Sequence, residues 1–169
     1  MFRPSNNTII AKIERYSVAA VIVIIATIFL VSLHIGQINQ IRNSPPKPEE
    51  IIKTAELFLP GSDREELGTK LDCSGYTRTV YTEFNIRIPT SAAGQYKVTT
   101  HVDRSLLSPG DLLFFNTSGS GISHVALCLD SSRFIHSPGR GKKICVDSFE
   151  QLYWDKRFIC GGKINIYCN

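Results

Sequence analysis

Nineteen consecutive residues, Ser17–Ile35 (SVAAVIVIIATIFLVSLHI), carry no formal charge apart from the one His34 takes when protonated. At 1.5 Å per residue they make a helix of roughly 28 Å, about the thickness of a bilayer's hydrocarbon core. A secretory signal has a shorter apolar region and small residues at its cleavage site, and VSLHIGQ offers no such site. We therefore read residues 17–35 as an uncleaved transmembrane anchor. The basic residues Arg3, Lys12 and Arg15 assign residues 1–16 to a cytoplasmic tail. Residues 36–48, polar and ending in Pro45, Pro46 and Pro48, read as a linker, because proline stiffens a chain and disfavours a continuing helix. What remains, residues 49–169, is about the size of one compact domain.

The formal charge of +4 raises nucleic acid as a partner. From Glu50 onward, however, 14 Lys and Arg face 13 Asp and Glu. The surplus lies in the tail and linker, and a near-neutral domain makes a poor phosphate-binding surface. No nucleic-acid partner is expected.

Within the domain, Glu49–Leu59 (EEIIKTAELFL) has acids in its first turn after Pro48 and apolar residues at a helical period. Cys73–Phe84 repeats that period with Tyr76, Val80 and Phe84, and stops before Pro89. After the turn signal Ser108-Pro109-Gly110-Asp111 come short β-rich runs: LLFF, HVALCLD, RFIHS, KICVDSF and RFICGGKINIY. Helices followed by a meander of antiparallel strands predict an α+β domain, with the Cys73 helix packed on one face of the sheet.

A nucleophilic cysteine needs a lowered thiol pKa, a base within hydrogen-bond reach and a group that holds that base in the right tautomer. Cys73 lies in Leu-Asp-Cys-Ser-Gly at a predicted helix start, where free backbone N–H groups and the helix dipole favour a thiolate and an oxyanion site. His124 opens the strand HVALCLD and His136 closes the strand RFIHS. In a hairpin, the opening of one strand lies beside the closing of the next, so the two imidazoles are expected to share an edge.

In order and spacing, five signposts match a known pattern: Asp72-Cys73-Ser74-Gly75; Pro89-Thr90-Ser91 with Gln95 four residues on; Pro109-Gly110-Asp111-Leu112; His124-Val125; and Phe134-Ile135-His136. From about Glu49 to its end the chain resembles the NlpC family of bacterial cell-wall cysteine peptidases, a papain-like α+β fold. The resemblance implies that Cys73 is the nucleophile, His124 its base and His136 the residue that orients the base. It also implies substrate contacts at Asp72, Ser74 and Gln95, with Ser74 a helper at the oxyanion. The implied reaction cleaves the γ-D-glutamyl to diaminopimelate amide of peptidoglycan stem peptides, through an acyl-enzyme and without a cofactor. The implied location is a single-pass protein of the inner membrane with its domain in the periplasm or outside the cell. Peptidoglycan, the membrane and an envelope protein complex are the expected partners. One departure stands out: the Tyr that family members carry about a dozen residues before the Cys is missing, and Gly61 falls at about that place.

Other readings compete. A zinc site built from Cys73, His124 and His136 lacks close-spaced ligand pairs, so no metal is expected. Arg140, Lys142 and Lys143 read as a solvated charged turn. Cys128, Cys145, Cys160 and Cys168 form two disulfides, in one of three pairings, or else Cys128 and Cys145, which sit within apolar strand text, stay buried free thiols. A thiol amidase or acyltransferase is the rival enzyme. The rival from another class is a catalytically silent wall-binding scaffold.

Overall fold

The computed structural model describes residues 6–42 and 45–165. They fall into two units divided at Pro45 and Pro46. The first is a single helix, α1 (Asn6–Arg42). Its apolar stretch Ala20–Ile38 is long enough to cross a membrane, and none of that stretch is buried within the protein. The helix continues through Gln37–Arg42, into the segment read as linker. The physical reason is that a helix tolerates polar residues, and the first proline able to stop it is Pro45.

The second unit is the α+β domain. Helix α2 (Pro48–Glu56) starts with proline in its first turn, and the Glu50 carboxylate accepts the Lys47 N–H at 3.0 Å. After α3 (Glu65–Thr69), helix α4 spans Cys73–Thr82. It ends two residues before the predicted Phe84, because Asn85 adopts a left-handed conformation (φ 60°) and lets the Ile86 N–H reach back to the Tyr81 carbonyl. A short helix, α5 (Ala92–Lys97), and an edge strand, β1 (Thr99–Val102), precede the predicted strands. Those are β2 (Leu112–Phe115), β3 (His124–Cys128), β4 (Arg133–His136), β5 (Cys145–Ser148) and, after α6 (Leu152–Asp155), β6 (Phe158–Ile164).

The sheet is antiparallel with order β1-β6-β2-β3-β4-β5. The expected meander holds from β2 to β5 only. Strand β6 does not follow β5 but returns to the far edge of β2, where it sits between β2 and β1. Gly161 and Gly162 make this place habitable: a Cβ on Gly162 would stand 2.6 Å from a Phe114 ring carbon and 2.6 Å from the Thr99 hydroxyl.

Strand alternation sends Leu112, Phe114, Val125, Leu127 and Ile135 to one face, where they pack with Ile51, Phe58, Tyr76 and Val80 of the helical layer. The Tyr76 hydroxyl fastens α4 to α2 by donating to the Ala55 carbonyl at 2.9 Å. Leu113, Phe115, Ala126, Cys128 and Phe134 form a second core on the other face with Phe149 and Trp154. Cys128 and Cys160 therefore belong to opposite faces, and Cys73, Cys128, Cys145 and Cys160 are all free thiols. Cys168 lies outside the described residues.

Candidate active site

Cys73 is the first residue of α4, and Asp72 is its N-cap, with the carboxylate accepting the Gly75 N–H at 2.7 Å. A Cβ on Gly75 would stand 3.1 Å from that same carboxylate oxygen, a tight contact that the Asp72 side chain would have to yield to. The Tyr76 N–H bonds the Asp72 carbonyl. This leaves the N–H groups of Cys73 and Ser74 free of intrahelical partners, and both lie against the Cys73 sulfur together with the Val125 N–H. The sulfur thus lies near the peptide that joins His124 to Val125. The β3–β4 pairing covers only Leu127↔Ile135 and Cys128↔Phe134, which leaves the opening of β3 unpaired on its β4 side.

The two histidines meet as the sequence predicts. Nε2 of His124 lies 2.9 Å from Nδ1 of His136, and both residues are buried. A third group, absent from the sequence reading, completes the row: Nε2 of His136 lies 3.0 Å from Oδ2 of Asp147. Asp147 also accepts from Trp154 Nε1 at 2.9 Å and from Gln151 Nε2 at 3.0 Å. Strand register explains the meeting, because Asp147 pairs with Phe134 and so shares the face of His136, two residues away. Ser137 then ties the end of β4 to the approach to Cys73 by donating to the Leu71 carbonyl at 2.7 Å.

Burial raises the Asp147 pKa, but the donors from Gln151, His136 and Trp154 outweigh it and hold the carboxyl below its ordinary range. An ionised Asp147 only accepts, so His136 carries its proton on Nε2 and leaves Nδ1 bare. Nδ1 then accepts from His124 Nε2–H. The lone pair of His124 is thereby left on Nδ1. Burial, and next the neighbouring His136, lower the His124 pKa to about 3, and burial lowers that of His136. Burial likewise raises the Cys73 thiol pKa, against the pull of the Val125, Ser74 and Cys73 N–H groups and with a smaller contribution from Asp72. Desolvation of the sulfur thus opposes the thiolate that the helix start favours.

The remaining predicted residues behave differently. Asp72 is partly exposed and meets Arg140 at 3.3 Å. Ser74 is buried, with its hydroxyl shared between the Thr90 carbonyl (2.9 Å) and Asp72 (3.2 Å). Gln95 is wholly buried: its amide nitrogen donates to the Ser74 and Pro89 carbonyls, each at 2.9 Å, and its oxygen accepts from Thr77 at 2.8 Å. Every polar atom of the Ser74 and Gln95 side chains thus has a partner inside the protein. Gly61, at the place of the missing aromatic, has a φ of 83° with open space where a Cβ would stand. Lys143 pairs with Glu65 at 2.8 Å on the surface.

Four likenesses bear on what the site does. The NlpC/P60 family model matches residues 58–163. The murein DD-endopeptidase MepH of Escherichia coli is 36% identical over 100 residues, covering 57% of this chain and 37% of its own. The γ-D-glutamyl-L-lysine dipeptidyl-peptidase of Bacillus cereus is 35% identical over 109 residues, covering 61% of this chain and 33% of its own. Among curated relatives at 35–36% identity, the chain spans about a fifth to somewhat over a third of the relative's length. In structure, the NlpC/p60 domain of the peptidoglycan hydrolase SagA superposes with a TM-score of 0.58 at 26% identity, covering 70% of this chain and 100% of that one.

Proposed function

The chain belongs to the NlpC/P60 family, and from that premise we propose that it is a membrane-anchored cysteine endopeptidase acting on peptidoglycan stem peptides. The observation that carries the reading is the row His124–His136–Asp147 beside a thiol at a helix start. It leaves His124 Nδ1 as the one ring nitrogen of the pair whose lone pair is not engaged within the row, which is what a base for Cys73 requires.

In the proposed reaction the Cys73 proton passes to His124 as the sulfur attacks the scissile carbonyl. The imidazolium so formed donates from Nε2 to His136, and His136 in turn donates to the Asp147 carboxylate, which offsets the new charge in a buried place. The N–H groups of Cys73 and Ser74 are the donors nearest the developing oxyanion. His124 returns the proton to the departing amine, and a water activated by His124 hydrolyses the acyl-enzyme. Ser74 and Gln95 position the start of α4.

The bond we propose is the amide between γ-D-glutamate and the diamino acid of the stem peptide. The B. cereus relative's name supports it, while MepH is named for a different bond. The test is digestion of purified peptidoglycan by the full chain in detergent, with mass analysis of the released muropeptides. Cleavage after γ-D-glutamate that vanishes in Cys73→Ala is expected; undiminished release by that variant sinks the assignment. One observation favours a silent wall-binding module instead, namely the raised thiol pKa together with Gly61 in place of the aromatic. The same digestion decides between the two.

For the anchor we propose that α1 spans the inner membrane and that the domain lies on its outer side. The two hydroxyls within the apolar stretch support insertion. Thr27 donates to the Ile24 carbonyl at 2.8 Å and Ser32 to the Ile28 carbonyl at 2.9 Å, so neither needs a partner in lipid.

A further inference from the structure

His136 and Asp147 belong to the row described above, but a third potential ligand lies beside His136 that the proposed reaction does not use. Sγ of Cys145 lies 3.4 Å from His136 Nε2. The sulfur of Cys145, a ring nitrogen of His136 and a carboxylate oxygen of Asp147 all lie within 4.8 Å of one another. Two of the three sides of this triangle, 3.0 Å and 3.4 Å, are close to the edges of a tetrahedron with metal–ligand bonds of about 2.0 to 2.3 Å. One imidazole, one thiolate and one carboxylate form a donor set that suits Zn(II), with a fourth position left for water. Cys145 and Asp147 are only half-buried, so an ion has a way in.

We propose that these three residues form an inhibitory Zn(II) site that switches the peptidase off by inverting the proton arrangement of its histidines. Binding forms Zn–S, Zn–N and Zn–O bonds and releases one proton, that of the Cys145 thiol, to solvent. The complex of Zn(II) with one thiolate and one carboxylate is neutral overall, which suits a partly buried place. To ligate through Nε2, His136 gives up the proton it shares with Asp147 and carries one on Nδ1 instead. Its hydrogen bond to His124 then runs the other way: His136 Nδ1–H donates, His124 Nε2 accepts, and the His124 proton stands on Nδ1. The lone pair required to accept the Cys73 proton is gone. The metal need not touch Cys73 or His124 to silence both.

This inference rests on the proposed roles of His124 and His136, while the site itself can be tested without them. Cobalt(II), which reports thiolate ligation through a near-ultraviolet charge-transfer band, is added to the untagged full chain in detergent. The band is expected in the wild type and in Cys73→Ser, and its loss is expected in Cys145→Ser. Its absence from the wild type, or its survival in Cys145→Ser, overturns the site. A second arm measures muropeptide release with and without micromolar zinc. We expect a fall of about ten-fold or more in the wild type and none in Cys145→Ser, whose activity without zinc should match the wild type. Equal zinc sensitivity of the two proteins overturns the switch. If the metal-free wild type releases no muropeptides, the proposed function fails, and the cobalt spectrum still decides the site.

Discussion

Nε2 of His124 lies 2.9 Å from Nδ1 of His136, and the ionised Asp147 beyond His136 allows only one placement of protons along the row. A carboxylate at the end of a chain of imidazoles sets the tautomer of each ring in turn, so a residue with no proposed contact to substrate decides which nitrogen of His124 is basic. This dependence distinguishes Asp147 from a merely structural acid.

Asp147→Asn should therefore lower kcat by roughly 10- to 100-fold with little change in KM, the range found when an outer partner that fixes a histidine tautomer is lost. The amide keeps the shape and the hydrogen-bonding capacity but no longer dictates who donates. Steady-state kinetics on a soluble stem-peptide substrate would check it. An unchanged kcat would mean that His136 finds its tautomer without Asp147.

The two histidines should not be equivalent. Loss of His136 leaves space that water can partly fill, whereas loss of His124 removes the proton acceptor. His124→Ala is expected to reduce kcat/KM further than His136→Ala, and the reverse order would show the roles to be exchanged.

Gln95→Leu should destabilise the domain by roughly 2 to 4 kcal/mol, because the Ser74 and Pro89 carbonyls would lose a buried donor each. Urea titration reads this directly. A residue that touched substrate would instead raise KM at unchanged stability, and that outcome would restore the role expected from the sequence.

The contrast between Gln95 and Asp147 shows what a linear reading can and cannot reach. The thiol, the two histidines and the helix start were legible as a set: an N-cap motif at Asp72-Cys73 and two strand ends at His124 and His136 are each weak signals alone, and their order and spacing match the family's pattern. Gln95 was singled out by the family resemblance, which does not tell a surface residue from an interior one. Asp147 was missed because its partner lies across a strand pair, and only the register Phe134↔Asp147 puts it on the face of His136. Strand β1 escaped for a similar reason: Thr99, Thr100 and His101 show no apolar alternation, and the strand is held by its ladder to β6 rather than by a buried face. The place of β6 was illegible too, since local texture records that a strand exists and not which edge it joins.

The orientation of α1 can be tested by fusing a reporter after Asn169. Arg3, Lys12 and Arg15 precede the apolar stretch and Arg42 and Lys47 follow it, so the charge difference across the helix is small. The expected result is activity from a reporter that works only when exported and silence from one that works only in the cytosol. The opposite pattern would place Cys73 away from peptidoglycan and remove the proposed function along with the topology.

The buried imidazoles also predict how stability depends on pH. In the fold, His124 titrates at about 3 rather than at 6.5, and His136 is likewise lowered from 6.5. An unfolded chain takes up these protons below pH 6.5 while the native chain does not, so acid draws the equilibrium toward the unfolded state. The stabilisation is complete above pH 6.5 and is lost progressively toward pH 3, by on the order of 1 kcal/mol per pH unit for each histidine that stays neutral. The lowered carboxyls of Asp147 and Asp130 act with the same sign but only below their ordinary value of 3.8, so between pH 6.5 and about 4 the histidines dominate. At the alkaline end the raised Cys73 thiol works the other way, since an unfolded thiol ionises near pH 9.0 and the folded one resists. Thermal melts of the full chain in detergent should show Tm falling steadily as pH drops from 6.5 to 4. His124→Asn, which cannot take up the proton, should flatten the slope by about one proton's worth. A Tm that does not change over that interval would mean the imidazoles are charged in the native state, and a protonated His124 would have no lone pair for Cys73.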